Sequence, residues 1–464
     1  MEKFDIAVIG AGPGGYPAAI RAAQLGASVA IVEKEQLGGT CLNWGCIPTK
    51  ALIAAAGTFA QITHAQALGI TVTGAAVDYA TMIRHKDKVV GQLRNGIKQL
   101  LAANGVKLFT GAASFKDRGT IGIGDSTAIS AAKVIIATGS TSAMPGFLPK
   151  HERVIESRRF LELDHLPRTL LVLGGGFIGC ELACMAAMLG VKVTLVELLE
   201  DILLLLDPDV RREVRNAMEK GLGIRVLTGK ALEAITADAA GARGSLGGEL
   251  LEADLLLCAV GRKPVTEGLK LDQAGLAPNP RGFIETDDYC RTPVATIYAI
   301  GDVTGKTQLA HYATAQGITA AENALGPKPR PHQTLVPNVI FTSPEIGTVG
   351  LSEEDARKQN REVKIGKFRF AGLGRALAVG ETAGFVKWIA DAATDQLLGA
   401  AAVGPHATEL IAQATAAIRA ELTTRELGRT IYAHPTFGEA WMEAAHVLHG
   451  EAIHAPPRPA RAAA

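Results

Sequence analysis

Apolar and polar positions in this chain follow one series that occurs twice. Phe4–Ile9 is a mostly apolar run of strand length, and it breaks on Gly10-Ala11-Gly12-Pro13-Gly14-Gly15. An Ala-rich helical stretch follows to Leu25 and ends at Gly26. A second apolar strand, Ser28–Val32, then closes on Glu33. The series returns as a strand at Thr169–Leu173, a turn at Gly174-Gly175-Gly176-Phe177-Ile178-Gly179, a helix over Cys180–Leu189 and a strand over Val191–Val196, closing on Glu197. In both copies the acid stands 23 residues after the first glycine and the helix-ending glycine 16 after it. Glycines permit the tight turn and a close backbone approach to pyrophosphate. The helix N-terminus favours phosphate, and an acid ending the next strand can hold a ribose. Two such units imply two dinucleotides.

The rest of the pattern predicts a helix over Tyr79–Ala103 and a small β-meander from Lys107–Phe115, Thr120–Gly124 and Thr127–Ile136, ending in Ala137-Thr138-Gly139. Leu255–Val260 leads into Gly261, and Thr296–Ile300 into Gly301-Asp302. Leu203–Leu206, bracketed by Asp201 and Asp207, reads as a short buried segment. Pro327–Pro331 reads as a connection. Beyond Pro344 the character changes: Ser352 opens a capped helix, and Val363–Phe370, Gly384–Ala390 and Leu397–Val403 read as antiparallel strands. Helices follow from about Ala407 and Thr436. The domain plan is therefore 1–145 and 146–275 for the two dinucleotide units, 276–345 for a segment completing the first, 346–454 for a distinct α+β unit, and 455–464 for a flexible Pro/Ala/Arg tail.

Composition agrees with this plan and narrows the function. A chain of 464 residues, 48% hydrophobic with 52 glycines and few aromatics, suits a multidomain α/β protein with many turns. A net charge of +1 argues against a nucleic-acid partner held by bulk charge. No apolar run reaches the roughly 18 residues of a membrane span, and the N-terminus enters a strand with no leader pattern. A cytosolic protein is expected. In that compartment a disulfide is more often catalytic than structural.

The chemistry gathers at Gly38–Lys50, where Cys41 and Cys46 stand among glycines and a proline. On a regular helix, residues five apart have α-carbons roughly 8–9 Å apart, and a disulfide needs about 4.4–6.8 Å. A bridge would need a distorted turn, for which Gly45 supplies freedom and Pro48 a helix start. Spacing alone leaves two buried free cysteines as an equal reading. Cys180 and Cys184, four apart on a helix with no further ligand nearby, read as packing and not as a metal site; Cys258 and Cys290 read as core. Near the C-terminus, His434-Pro435 is followed one helical turn later by Glu439, an acid that can orient and charge the imidazole.

Gly38–Lys50 resembles the redox-active signature of the flavin-dependent pyridine nucleotide-disulfide oxidoreductases, nearest to the dihydrolipoamide dehydrogenase branch, with Thr49 where that family has Ser. Similar motifs recur from Asp5 to Ala440. The resemblance implies two Rossmann-like domains and a C-terminal dimerisation domain, with a redox disulfide between Cys41 and Cys46. It implies FAD at Gly10, Gly12, Gly14, Gly15, Glu33, Gly39, Thr40, Lys50, Ala113, Thr138, Gly139, Asp302 and Ala310. It implies NAD at Gly174, Gly176, Phe177, Ile178, Gly179, Glu181, Glu197, Ala231 and Gly261, with Lys50 paired to Glu181 near the flavin. His434 and Glu439 would serve the opposite subunit of a homodimer. The partners implied are lipoyl-bearing proteins and the core component of a 2-oxo acid dehydrogenase complex, or the glycine cleavage system. Glu197, with no arginine before Arg211, favours NAD over NADP. Glutathione-type reductases carry arginines there. Mercuric reductases carry a C-terminal cysteine pair, and this chain has no cysteine after Cys290. A flavin-binding assembly protein is the reading from another class, and Cys41, Cys46 and His434 argue against it.

Overall fold

The computed structural model describes residues 1–456, so the expected tail lies outside the described residues beyond Pro456. Each glycine turn springs from a parallel sheet. In the first sheet, Lys107–Thr110, Val29–Glu33, Glu2–Ile9 and Thr127–Ile136 run side by side and parallel. Ile297–Ala299 returns from far along the chain to extend the second half of Thr127–Ile136, while Thr120–Ile123 and Ala113–Phe115 run antiparallel from its first half. The expected single strand Lys107–Phe115 is therefore two. The chain turns at Gly111 (φ +147°), leaving its first part in the parallel sheet and its second in the meander. Helix α1 (Gly15–Gln24) lies close on this sheet through Ala18, Ala19 and Ala22, all fully buried.

Helices α2 (Gly39–Trp44) and α3 (Cys46–His64) would be one helix but for Gly45, whose φ of −143° and ψ of −110° interrupt it. The interruption brings the α-carbons of Cys41 and Cys46 to 4.6 Å, and the two are disulfide-bonded. A β-carbon on Gly45 would meet the Thr40 carbonyl oxygen at 3.0 Å. Buried Asn43 fixes α2: its amide donates to the Leu37 and Gly39 carbonyls, and its oxygen accepts two bonds from Arg94 of α4 (Tyr79–Ala103) at 2.7 and 3.0 Å.

The second parallel sheet has the order Arg225–Thr228, Lys192–Glu197, Thr169–Leu173, Leu255–Cys258, Val154–Glu156. It carries α5 (Ser157–Leu161), α6 (Phe177–Met188) and α7 (Pro208–Asn216). A three-stranded antiparallel layer over 233–253 covers it. Residues Gly179 to Ala186 of α6 are all buried, and Cys180 and Cys184 share one core with Leu52 and Ala56 of α3. Thus α3 ties the disulfide to the second unit. The Leu203–Leu206 segment corrects the expectation in part: Leu203 and Leu206 are buried, yet Leu205 is 96% exposed.

Helix α8 (Ala310–Leu325) returns to α1 through Arg21–Glu322 at 2.8 Å and a bond from the Thr314 hydroxyl to the Pro13 carbonyl. The C-terminal part is an antiparallel sheet in the order Asn338–Ile340, Glu345–Gly350, Leu397–Gly404, Phe385–Asp391, Val363–Arg369. Around it stand α9 (Glu353–Lys358, capped by Ser352 as expected), α10 (Gly374–Val379), α11 (Ala407–Arg419), α12 (Thr424–Arg429) and α13 (Glu439–His449).

One ionic knot fastens this part to the second unit. Lys387, wholly buried, donates to Asp207, Asp209 and Glu353 at 2.8–2.9 Å, and Lys367 also reaches Asp209. Burial opposes the Lys387 charge, but Asp209 and Asp207 outweigh it, so its pKa is raised. Burial likewise opposes the Asp209 charge, and Lys387 and Lys367 hold its pKa low. A raised lysine value gives stability present below the unfolded value and lost as pH rises through the folded one. A lowered carboxylate value gives stability present above the unfolded value and lost as pH falls through the folded one. The knot therefore persists across the neutral range.

Lys387→Met would leave three carboxylates facing one another, and a loss of about 3–5 kcal/mol is expected, measured as a lower urea midpoint. An unchanged midpoint would show that the acids do not depend on this cation. Gly45→Ala should cost about 1–2 kcal/mol by overpacking and leave more Cys41 and Cys46 open to alkylation in air. Wild-type labelling would show that the bridge closes without glycine.

Candidate active site

The two glycine turns match bond for bond. The Gly10 amide donates to the Val32 carbonyl and the Gly174 amide to that of Val196, both at 2.8 Å. A β-carbon on Gly15 would stand 1.8 Å from the Gly10 oxygen, and one on Gly179 2.0 Å from the Gly174 oxygen, so both positions must be glycine for the helix to reach its strand. The Glu33 carboxylate accepts the amides of Ala11 and Glu35, both at 2.8 Å; that of Glu197 accepts those of Gly175 at 2.6 Å and Leu199 at 2.8 Å. Each acid thus braces its own turn, a role absent from the reading that gives it only a ribose. Neither Gly14 nor Gly176, the N-caps of α1 and α6, brings a side-chain acceptor to the first-turn amides. These ends suit an anionic group.

A cavity of about 700 Å³ opens from the first turn, within the range of cofactor sites. Of the residues expected at FAD, it is lined by Gly10, Gly12, Gly14, Glu33, Gly39, Thr40, Lys50, Ala113, Thr138, Gly139, Asp302 and Ala310. Gly15 is not on its wall and acts in packing. The disulfide pair Cys41 and Cys46 lies on the same wall, and Phe177, Ile178 and Glu181 reach it from the second unit. Gly174, Gly176, Gly179, Glu197, Ala231 and Gly261 are not on this wall; Ala231 is exposed beyond the strand Arg225–Thr228.

Lys50, one helical turn after Cys46, donates to both oxygens of buried Glu181 at 2.8 and 3.0 Å. Glu181 also accepts the Phe341 amide at 2.8 Å, and the Lys50 ammonium lies 4.6 Å from the Phe341 ring centre. This group joins α3, α6 and the start of the C-terminal part at the cavity wall.

His434 and Glu439 pair at 2.8 Å through Nδ1, and Glu439 also accepts the Thr436 amide. Burial disfavours the Glu439 charge, but the Thr436 amide and His434 together hold its pKa below the ordinary range. A carboxylate at Nδ1 leaves Nε2 as the basic nitrogen. The imidazole is 76% exposed and is not among the residues lining the cavity. Within one chain His434 thus stands outside the wall that carries Cys41. The remaining thiols are held protonated by burial, Cys184 and Cys290 with pKa values pushed to about 12 and Cys180 well above its ordinary value. Cys258 is shifted the same way.

The sequence reading passes over Arg262 and Ser140. Arg262 donates to the Ser140 hydroxyl and carbonyl, both at 2.7 Å, and the same hydroxyl bonds to Asp302. Burial pulls the Arg262 pKa down against the carboxylates of Asp302 and Glu156. Its signal was the Gly261-Arg262 pair at a strand end, which only the antiparallel ribbon Ser140–Ser142/Arg262–Pro264 turns toward Asp302.

Comparison with known proteins agrees with this geometry. Residues 4–317 match the family described as pyridine nucleotide-disulphide oxidoreductase, and residues 336–445 match its dimerisation domain. The chain is 43% identical to a dihydrolipoyl dehydrogenase of Chlamydia muridarum, covering 98% of this chain and 99% of that one. It is 44% identical to one of Thermus scotoductus, with the same coverage. Among solved structures, LpdA of Mycobacterium tuberculosis superposes with a TM-score of 0.89 at 27% identity, covering 96% of this chain and 99% of that one. The copper(II) complex of RclA, an HOCl-induced flavoprotein disulfide reductase of Escherichia coli, superposes with a TM-score of 0.88 at 29% identity, covering 97% and 100%. On its motifs, its fold and these full-length matches, the chain belongs to the pyridine nucleotide-disulphide oxidoreductase family.

Proposed function

We propose that the chain acts as a dihydrolipoyl dehydrogenase, reoxidising dihydrolipoyl groups carried on partner proteins and delivering the electrons to NAD. The observation that carries this reading is the shared wall: the Cys41–Cys46 disulfide lines the cavity of the first glycine turn, and Lys50–Glu181 joins it to the helix of the second. FAD suits the cavity, where the backbone at Gly12 and Gly14, Glu33 and Asp302 would hold it. NAD suits the second turn, where Gly176 and Glu197 would hold it. Exposed Leu198 and Leu199 follow Glu197, so no cation of the following residues meets a 2′-phosphate. When bound, FAD supplies a two-electron relay between the disulfide and NAD.

The chain's own part is thiol–disulfide exchange. His434 Nε2 takes the proton of one substrate thiol, with Glu439 holding the resulting imidazolium. The thiolate attacks Cys41 Sγ, the Cys41–Cys46 bond breaks, and Cys46 leaves as a thiolate. The second substrate thiol then attacks the substrate sulfur of the mixed disulfide, its proton passing to the departing Cys41 sulfur, and the substrate closes into its own disulfide. Two electrons have passed to the cysteine pair. Because His434 stands away from the cavity of its own chain, it serves the partner subunit of a homodimer. The physiological setting is cytosolic, with lipoyl-bearing proteins and the core component of a 2-oxo acid dehydrogenase complex or the glycine cleavage system as partners.

Steady-state assay should show dihydrolipoamide-dependent NAD reduction; its absence, with NADPH-driven reduction of glutathione disulfide instead, would overturn the substrate assignment. The shared site has its own test, by mixing Cys41→Ser and His434→Gln chains after reversible dissociation. Each variant alone should be nearly inactive, and random pairing should restore about a quarter of the sites in a two-fold dimer. No recovery despite proven chain exchange would place His434 within its own subunit or outside the reaction.

A further inference from the structure

Three residues on the cavity wall have no part in the chemistry above. The Arg158 guanidinium lies 3.8 Å from the centre of the Trp44 ring, and its Nη1 is 3.2 and 3.5 Å from the two Glu35 oxygens. All three side chains line the cavity. They arrive from separate places. Glu35 follows the first-sheet strand Val29–Glu33, and its amide bonds to Glu33. Trp44 ends α2 in the disulfide segment, and Arg158 belongs to α5 beside the second sheet. The stack therefore joins the two units at the cavity wall.

Its base is well anchored. Glu156 caps α5 by accepting the amides of Arg158 and Arg159, and it also accepts the Ser142 hydroxyl at 2.8 Å. Phe160 and Leu161 are buried in the core, and the Leu161 carbonyl accepts the Lys86 ammonium at 3.0 Å. Trp44 is held in turn by the buried Asn43–Arg94 bonds one residue away. The ion pair with Glu35 is solvent-exposed and contributes little. The stack on the indole is the larger contact, and it needs a planar guanidinium more than a charge.

We propose that Trp44 and Arg158 form a latch over the end of the cavity that carries Glu33, and that this latch governs how fast a bound flavin nucleotide leaves. The proposal rests on the reading of the cavity as an FAD site. A contact that must open before departure acts mainly on the dissociation rate. The stack bonds Arg158 to Trp44 and Glu35, not to Cys41, Cys46 or His434, so the state of the cysteine pair gives a readout independent of the latch.

The test is the rate of FAD release from the loaded protein, followed by the fluorescence of freed flavin. Trp44→Ala and Arg158→Ala should each speed release about 3- to 10-fold, as for loss of a partly exposed cation–π contact. The double variant should match either single one, because both remove the same contact. Trp44→Phe should stay near wild type, Arg158→Lys should fall between, and Glu35→Ala should change the rate less than about twofold. Wild-type release from either alanine variant, or single effects that multiply in the double variant, would overturn the latch. Dithiol-exposed Cys41 and Cys46, counted by alkylation, should be unchanged in every variant; altered counts would mean that α2 itself had shifted and would also overturn it. A protein that takes up no FAD at all would instead fail the reading of the cavity, and the latch with it.

Discussion

Everything in this molecule that concerns electron transfer depends on the break between two helices at Gly45. An unbroken helix would hold Cys41 and Cys46 roughly 8–9 Å apart, and the break closes that to 4.6 Å. The bridge then has fixed neighbours. Asn43 and Arg94 pin the segment before it, and α3 carries Lys50 and the Leu52–Ala56 face onward to α6. The disulfide is thus built into the boundary between two nucleotide units.

Those units share a turn but differ in what covers it. At the first, α8 folds back over α1, and a β-carbon on Gly317 would stand only 2.3 Å from the Gly14 carbonyl. Ile300–Asp302 and Ala310 add to the wall that this turn faces. At the second, Phe177, Leu198, Leu199 and Val260 are all more than 40% exposed. Matching backbone bonds therefore stand in two different surroundings, set by what the rest of the chain places around them.

Much of this was legible in the sequence. The paired units follow from glycine and acid spacing, and Tyr79–Ala103 forms as the apolar period implied. The pairings of Lys50 with Glu181 and His434 with Glu439 are present in the fold. What the pattern hid depends on contacts between distant residues. Lys107–Phe115 looks continuous because only a Gly111 turn divides it between two partners. The layer over 233–253 is rich in alanine and glycine, so its alternation is weak, and α8 is marked by little more than alanines. Arg262 and Arg158 look like surface cations until a ribbon and a short helix turn them onto Ser140 and Trp44. The Lys387 knot draws its partners from 207, 209 and 353, a grouping that no local window can show.

The central claim is that electrons pass between a nicotinamide cofactor and this one cysteine pair. Its most direct measurement is mass mapping of alkylated cysteines in the FAD-loaded protein, anaerobically, before and after NADH, with no thiol reductant present. Cys41 and Cys46 should be labelled only after NADH, while buried Cys180, Cys184, Cys258 and Cys290 stay unlabelled throughout. If a small thiol reductant opens Cys41–Cys46 to labelling but NADH never does, the pair is not on the electron path and the account is wrong.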